Sequence, residues 1–217
     1  MTDPSATSSA TLNRLSVYLR CLRELQKEGH ETVSSRELAD RFHLSSVQIR
    51  KDLAQFGDFG VRGIGYSIAP LAQRLHELLG LDHKHRLVIV GMGNLGCALA
   101  AYVGFNDDSF EVVAGFDIDP SKVGTHAGKL VVQHMDDIAR VVGETAADIG
   151  VLTAPTTAAL ECYETLIATG IQAILNFAPV PLPDRSGVRL KNVDLRVHLE
   201  EASFLLQEAV GVPKEAD

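Results

Sequence analysis

The chain has 217 residues, 46% of them hydrophobic and 22% charged, a globular composition that excludes wholesale disorder and collagen-like repeats. Against 28 Asp and Glu stand 20 Lys and Arg, a formal charge of −8 that taken whole argues against a nucleic-acid partner. The charge is segregated, however. Residues 1–80 carry 10 basic and 9 acidic side chains and residues 81–217 carry 10 and 19, so the exclusion applies only to the rear.

Residues 1–10 are polar and Ser/Thr-rich, without a basic n-region or an apolar core, and read as a disordered leader. Leu12, Leu15, Leu19, Leu22 and Leu25 then recur at helical spacing, and Gly29 stops that helix. Ser34 with Glu37, three residues on, predicts a capping box and a short helix through Phe42. After a His43-Leu44 turn, Ser45 with Gln48 predicts a second box and a helix from Ser46 to Phe56. On that helix Ile49, Leu53 and Phe56 share one face, while Val47, Arg50, Lys51 and Ala54 take the other. A helix-turn-helix needs this division, one side packed on the core and the other entering a major groove. Gly57 to Tyr66 spends four glycines in ten residues, which suits a tight hairpin with Arg62 at its tip. Pro70 at a first helical position opens the next helix, and Gly80 closes it.

From Arg86 the pattern changes to strands at 86–90, 110–116, 149–153 and 173–177. Helices fall between them at 94–103, 135–142 and 156–169, and alternation of this kind predicts a parallel sheet with crossover helices. A last helix is predicted over about 199–209. Cys21, Cys97 and Cys162 are scattered without a CxxC pair, so neither a disulfide framework nor a zinc site is expected. No apolar run approaches the ~18 residues of a membrane span, and the expected location is the cytoplasm.

Between the first of these strands and its helix stands Gly91-Met92-Gly93-Asn94-Leu95-Gly96, a GxGxxG loop in the context that binds dinucleotides. Gly91 permits the turn, Gly93 lets the backbone approach a pyrophosphate, and Gly96 allows helix and strand to pack closely. Asp117 ends the second strand at the spacing of the acid that holds a ribose 2′-hydroxyl, which favours NAD(H) over NADP(H). An NAD-dependent oxidoreductase with an appended helical module is the alternative. It lacks an obvious acid/base, since His126, His134 and His198 lie isolated on different segments.

Tyr18-Leu19-Arg20, Val47–Leu53, Phe56–Tyr66, Val90–Gly96, Phe116–Gly124 and Leu175–Val180 together resemble the Rex family of redox-sensing transcriptional repressors. The resemblance spans about residues 11–210. It implies a winged-helix DNA-binding domain over 11–80, a Rossmann NAD(H)-binding domain over 81–198, and a domain-swapped dimerisation helix with a tail over 199–217. The fold class is thus α/β. The implied protein is no enzyme but a homodimer that senses the NADH/NAD+ ratio, holds palindromic double-stranded operators and releases them when NADH binds. DNA contacts are then assigned to Ser46, Gln48, Arg50, Lys51, Arg62 and Gly63. Gly91, Met92, Gly93, Asn94, Leu95, Gly96, Asp117 and Lys122 would hold the adenosine diphosphate part. Thr153, Ala154, Pro155, Asn176, Phe177, Ala178 and Pro179 would line the nicotinamide end. Arg20, Tyr102 and Asp194 match the family's switch.

Overall fold

The computed structural model describes residues 8–61 and 63–210, the side chains of 208–210 excepted. The chain divides into two units between His83 and Lys84.

The first unit opens with α1 (Ser9–Lys27), whose N-cap Ser8 accepts from the Thr11 amide. The helix therefore starts inside the stretch expected to be leader. Leu15, Tyr18, Leu19, Leu22 and Leu25 form its buried stripe. β1 (Thr32–Val33) precedes α2 (Ser35–Phe42), which carries the full Ser34–Glu37 capping box and ends on His43 in the left-handed region (φ 54°). In α3 (Ser46–Ala54), Ser45 Oγ accepts the Gln48 amide, but the Gln48 side chain does not return to the cap. The second predicted box is thus only half formed, because Gln48 bonds forward to Asp52.

β2 (Gly60–Val61) and β3 (Gly65–Ser67) make the hairpin, and β1 joins it in a three-stranded antiparallel sheet ordered β1-β3-β2. Gly65 is required there: its φ is +102°, and a Cβ would stand 2.5 Å from the Val33 carbonyl oxygen. α4 (Ile68–Leu78) starts two residues before Pro70. Pro70 still lies in the first turn, where a missing N–H costs no helical bond. Leu22, Leu38, Ile49, Ile68 and Leu75 are fully buried, each stabilising the unit by about 1.5–3 kcal/mol relative to exposure.

The second unit is a seven-stranded sheet. Its strands are β4 (His85–Val90), β5 (Phe110–Asp117), β6 (His126–Ala127), β7 (Leu130–His134), β8 (Ile149–Leu152), β9 (Ala173–Asn176) and β10 (Arg189–Asn192). The order is β10-β9-β8-β4-β5-β7-β6, parallel except for β6 against β7. The four strands read from sequence are its middle. The short edge strands β6 and β10, and β7 beside β6, were not anticipated. β10, Arg-Leu-Lys-Asn, is too polar to read as a buried strand.

Alternation divides the two faces. Val88, Val90, Ala114, Phe116 and Leu152 pack toward α6 (Ile138–Thr145) and α7 (Thr156–Ala168). Leu87, Ile89, Val112 and Val151 take the other face with α5 (Asn94–Ala100), which ends short of the predicted Val103. α8 (Leu195–Val210) is longer than the predicted terminal helix and begins four residues earlier. No helix among the described residues is long and apolar enough to cross a membrane.

Candidate functional site

Strand order reverses about β4, whose neighbours are β5 on one side and β8 on the other. Loops leaving adjacent strand ends there run in opposite directions and open a crevice. A cleft of about 250 Å3 occupies this point, lined by Gly91 and Gly93, by Asp117 and Lys122, and by Thr153, Ala154 and Pro155.

The three loop glycines are required for three different reasons. Gly91 has φ +96°, and a Cβ would lie 2.7 Å from the Ala154 nitrogen. At Gly96 a Cβ would stand 2.1 Å from the Gly91 carbonyl oxygen, so α5 could not approach the strand end. Gly93 is different: nothing lies within 4 Å of its would-be Cβ, and its backbone is extended (φ −79°, ψ −166°). Its smallness serves open space in front of the α5 N-terminus. Thr153 Oγ1 donates to the carbonyls of Val90 (3.1 Å) and Gly91 (2.6 Å), tying the end of β8 to the loop.

Asp117 is buried, with Oδ2 accepting from the Met92 amide and from Lys122 Nζ, both at 2.9 Å, and Oδ1 from the Asp119 amide at 2.9 Å. Burial pushes its carboxyl upward. The Asp119 amide and the Lys122 ammonium outweigh that and hold it below the ordinary carboxylate range. The same bond from Asp117 raises Lys122. Two carboxylate oxygens offer about four lone pairs, so one acceptor direction on Oδ1 remains for a ligand hydroxyl.

Other sequence-assigned residues are not in the cleft lining. Met92 is buried and its sulfur lies where a Gly115 side chain would go, so it fills the sheet face behind the loop. Asn94 and Leu95 form the first turn of α5. Asn176 is buried and spends its amide on its own turn: Nδ2 donates to the carbonyls of Ala178 and Val180 and to Asn192, and Oδ1 accepts the Ala178 amide. It shapes the Phe177-Ala178-Pro179 turn, and among the described residues only a second lone pair on Oδ1 is left unused. His126, His134 and His198 lie outside the cleft lining.

In the first unit, Val47, Arg50 and Lys51 are exposed on α3, with Ser46 and Gln48 half-buried. Arg50 Nη1 donates to Ser35 Oγ at 2.8 Å, which aims the guanidinium while leaving most of its donors unused. Gly63 sits exposed in the hairpin turn at φ +85°. Arg62 lies outside the described residues. Sequence reasoning missed Asp52, which is wholly buried on the inner face of α3 and accepts from Arg14, Tyr18 and Gln48. An Asp next to Arg50-Lys51 reads as one more surface charge, and only the α1–α3 packing shows otherwise.

Of the switch residues, Arg20 is exposed on α1. Tyr102 is exposed and edge-packed on Phe105 at 5.6 Å, while exposed Asp194 caps α8 by accepting the Arg196 amide.

Comparison with known proteins matches the two parts of the chain to separate families. Residues 6–54 match the family described as putative DNA-binding protein N-terminus, and residues 82–180 match the CoA binding domain. A redox-sensing transcriptional repressor Rex of Syntrophomonas wolfei is 44% identical over 197 residues, covering 91% of this chain and 94% of the relative. The Rex of Streptomyces griseus is 40% identical over 208 residues, 96% of this chain and 82% of the relative. Among solved structures, RSP in complex with beta-NAD+ and operator DNA superposes with a TM-score of 0.87 at 36% identity, covering 94% of each chain. RSP in complex with beta-NADH gives 0.84 at 35% identity, covering 94% of this chain and 96% of that one.

Proposed function

The chain belongs to the Rex family of redox-sensing transcriptional repressors, and from that premise we propose that it is a cytoplasmic homodimer that leaves its operator when NADH binds. The observation that carries this reading is the cleft at the strand-order reversal, where a glycine loop, a helix N-terminus and Asp117 converge.

The residues present fit a dinucleotide. Gly93 leaves space for a pyrophosphate at the α5 amides, and Asp117 Oδ1 keeps a direction for the adenosine ribose. A carboxylate there repels a 2′-phosphate, so NAD(H) is the cofactor and not NADP(H). Thr153–Pro155 and the turn shaped by Asn176 form the nicotinamide end. NAD+ and NADH differ by one hydride, which removes the ring's positive charge. Tyr102, Asp194 and Arg20 are assigned to the response, being exposed and without an ion pair among the described residues.

Ser46, Gln48, Arg50, Lys51 and Gly63 are assigned to the DNA face, together with Arg62. Two-fold symmetry is needed to match half-sites about one helical turn apart. For dimerisation, α8 presents Leu199, Phe204, Leu205 and Leu206 to solvent. Among the described residues the sheet face over β4, β5 and β8–β10 is left open as a largely apolar groove of about 360 Å3, lined by Leu87, Phe110, Ile149, Val151 and Leu175 and edged by Arg189 and Lys191. An uncovered apolar helix and an uncovered apolar groove on the same unit support exchange of α8 between two copies.

Operator gel shifts with NADH and NAD+ titrated separately test the function. NADH releases the DNA at concentrations where NAD+ does not. To swing occupancy from 1:99 to 99:1, it must prefer the released state by about 10^4-fold. Operator binding unchanged at saturating NADH would refute the proposal, and stoichiometric cofactor oxidation coupled to a small substrate would favour an oxidoreductase.

A further inference from the structure

Asp52 is a fully buried carboxylate inside the helix assigned to the DNA groove. Its oxygens accept four hydrogen bonds: from Arg14 Nε (2.6 Å) and Nη2 (2.8 Å), Tyr18 Oη (2.9 Å) and Gln48 Nε2 (2.7 Å). Burial works to raise its pKa. The bonds from Arg14, Gln48 and Tyr18 and the Arg14 charge overcome it and keep the group ionised. An ionised carboxylate only accepts hydrogen bonds.

That fact fixes the Gln48 amide. A glutamine amide offers a donor end and an acceptor end, and a free one turns whichever end its partner requires. Here the donor end must face Asp52, since the reverse orientation would set two acceptors against each other at 2.7 Å. The carbonyl Oε1 is left pointing away and makes no bond among the described residues. Gln48 is the third residue of α3, half-exposed beside Val47 and Lys51, in the first turn. This is the part of a recognition helix that reaches base edges.

We infer that Gln48 reads an exocyclic amino group in the operator, adenine N6 or cytosine N4, and that Asp52 is the positioning residue that imposes this choice. In the major groove only those two bases carry a donor for Oε1; guanine O6 and thymine O4 could meet only the amide's second N–H and would leave Oε1 unpaired. The inference rests on the DNA-binding reading of α3 and adds to it the base class read at one position.

The test is selection of full-length protein on a randomised double-stranded DNA library. Wild type enriches a motif in which one position per half-site is restricted to adenine or cytosine on one strand. Gln48→Met keeps the side-chain length, removes the acceptor, and flattens that position alone. Asp52→Asn places an NH2 group against Gln48, lets the amide turn over, and moves the preference toward guanine or thymine. Because Asp52→Asn can unfold the unit, a second measurement stands without it. An operator whose adenine or cytosine at that position lacks its amino group (a purine or 2-pyrimidinone base) binds wild type about 3- to 10-fold more weakly. The same DNA binds Gln48→Met with no further loss. A Gln48→Met motif identical to wild type at every position overturns the inference, as does an amino-group deletion that costs both proteins equally. A folded Asp52→Asn protein that keeps the full adenine/cytosine preference removes Asp52 from the choice. Enrichment of no motif by wild type refutes the DNA-binding reading and this inference with it, a result distinct from a motif that ignores Gln48.

Discussion

Gly93 and Gly96 stand three residues apart in one loop, and alanine at each should damage the protein in a different way. At Gly96 the new Cβ meets the Gly91 carbonyl oxygen at 2.1 Å and Thr153 Oγ1 at 3.0 Å. Restoring a contact of about 3.2 Å moves α5 off the strand end by roughly 1 Å, enough to forfeit a quarter to a half of the dispersion well around it. The shift also strains the 2.6 Å Thr153–Gly91 hydrogen bond. Overpacking of this kind costs about 1–3 kcal/mol and a lost hydrogen bond about 1 more. For a unit of this size the sum lowers the sheet domain's Tm by about 10 °C. At Gly93 nothing lies within 4 Å and the backbone suits alanine, so the Tm should hold or rise slightly. The methyl group instead occupies the space assigned to the pyrophosphate, weakening NADH binding by about 10- to 100-fold, or 1.4–2.8 kcal/mol. Thermal unfolding of the ligand-free variants and NADH titration by fluorescence separate the two effects. A Gly93→Ala protein that binds NADH as wild type does would remove that residue from the cofactor. A Gly96→Ala protein with wild-type Tm would refute the packing argument.

Four further outcomes follow from the structure. Arg50→Ala should weaken operator binding in gel shifts while leaving NADH affinity unchanged, and losing both together would instead indicate misfolding. Leu205→Glu places a charge on the exposed apolar side of α8 and should yield a monomer by light scattering; a dimer of wild-type strength would exclude that face from the interface. Asp52 is held below the ordinary carboxyl value of 3.8, so its contribution is complete above that pH and is lost as pH falls through the lower folded value. Urea midpoints of the first unit between about pH 3 and pH 7 should therefore fall steeply only at the acid end. Asp52→Ala, which leaves Arg14 and Tyr18 facing an empty site, should cost about 3 kcal/mol at neutral pH.

What the sequence disclosed depended on whether a residue's role is local. The Ser34–Glu37 capping box, the glycine hairpin and the strand–GxGxxG–helix run are all written within a few neighbouring positions, and each formed as read. Roles set by distant partners were not legible. Ser45 and Gln48 have the spacing of a capping box, but Asp52 competes for the Gln48 amide from the next turn, and the structure gives Asp52 the side chain. Asp52 is itself neutralised by Arg14, 38 positions away on α1. Asn176, assigned to the nicotinamide end by the resemblance, makes four bonds within its own turn and to Asn192, and no local pattern announces those partners. The edge strands were missed because β10 is polar and β6 spans two residues, so neither carries a hydrophobic period.

The segregated charge takes on a sharper meaning once the contacts are known. The front 80 residues carry a formal excess of one positive charge, too small for affinity from bulk attraction to the phosphate backbone. Of their 9 acidic groups, Asp52 is wholly buried and Glu28 is engaged by Arg41, while Arg50 and Lys51 stand exposed on α3. The pairings with Arg14 and Arg41 remove basic and acidic groups one for one, so the excess stays at one, and what the contacts add is placement, with Arg50 and Lys51 exposed on α3. Binding that depends on a few placed groups rather than on a broad basic surface loses non-specific affinity first, and the acidic sheet domain reduces it further. Such a protein gains its hold on DNA from symmetry and base contacts. On the proposed homodimer, a modest change in the spacing of two α3 helices would then be enough to release it.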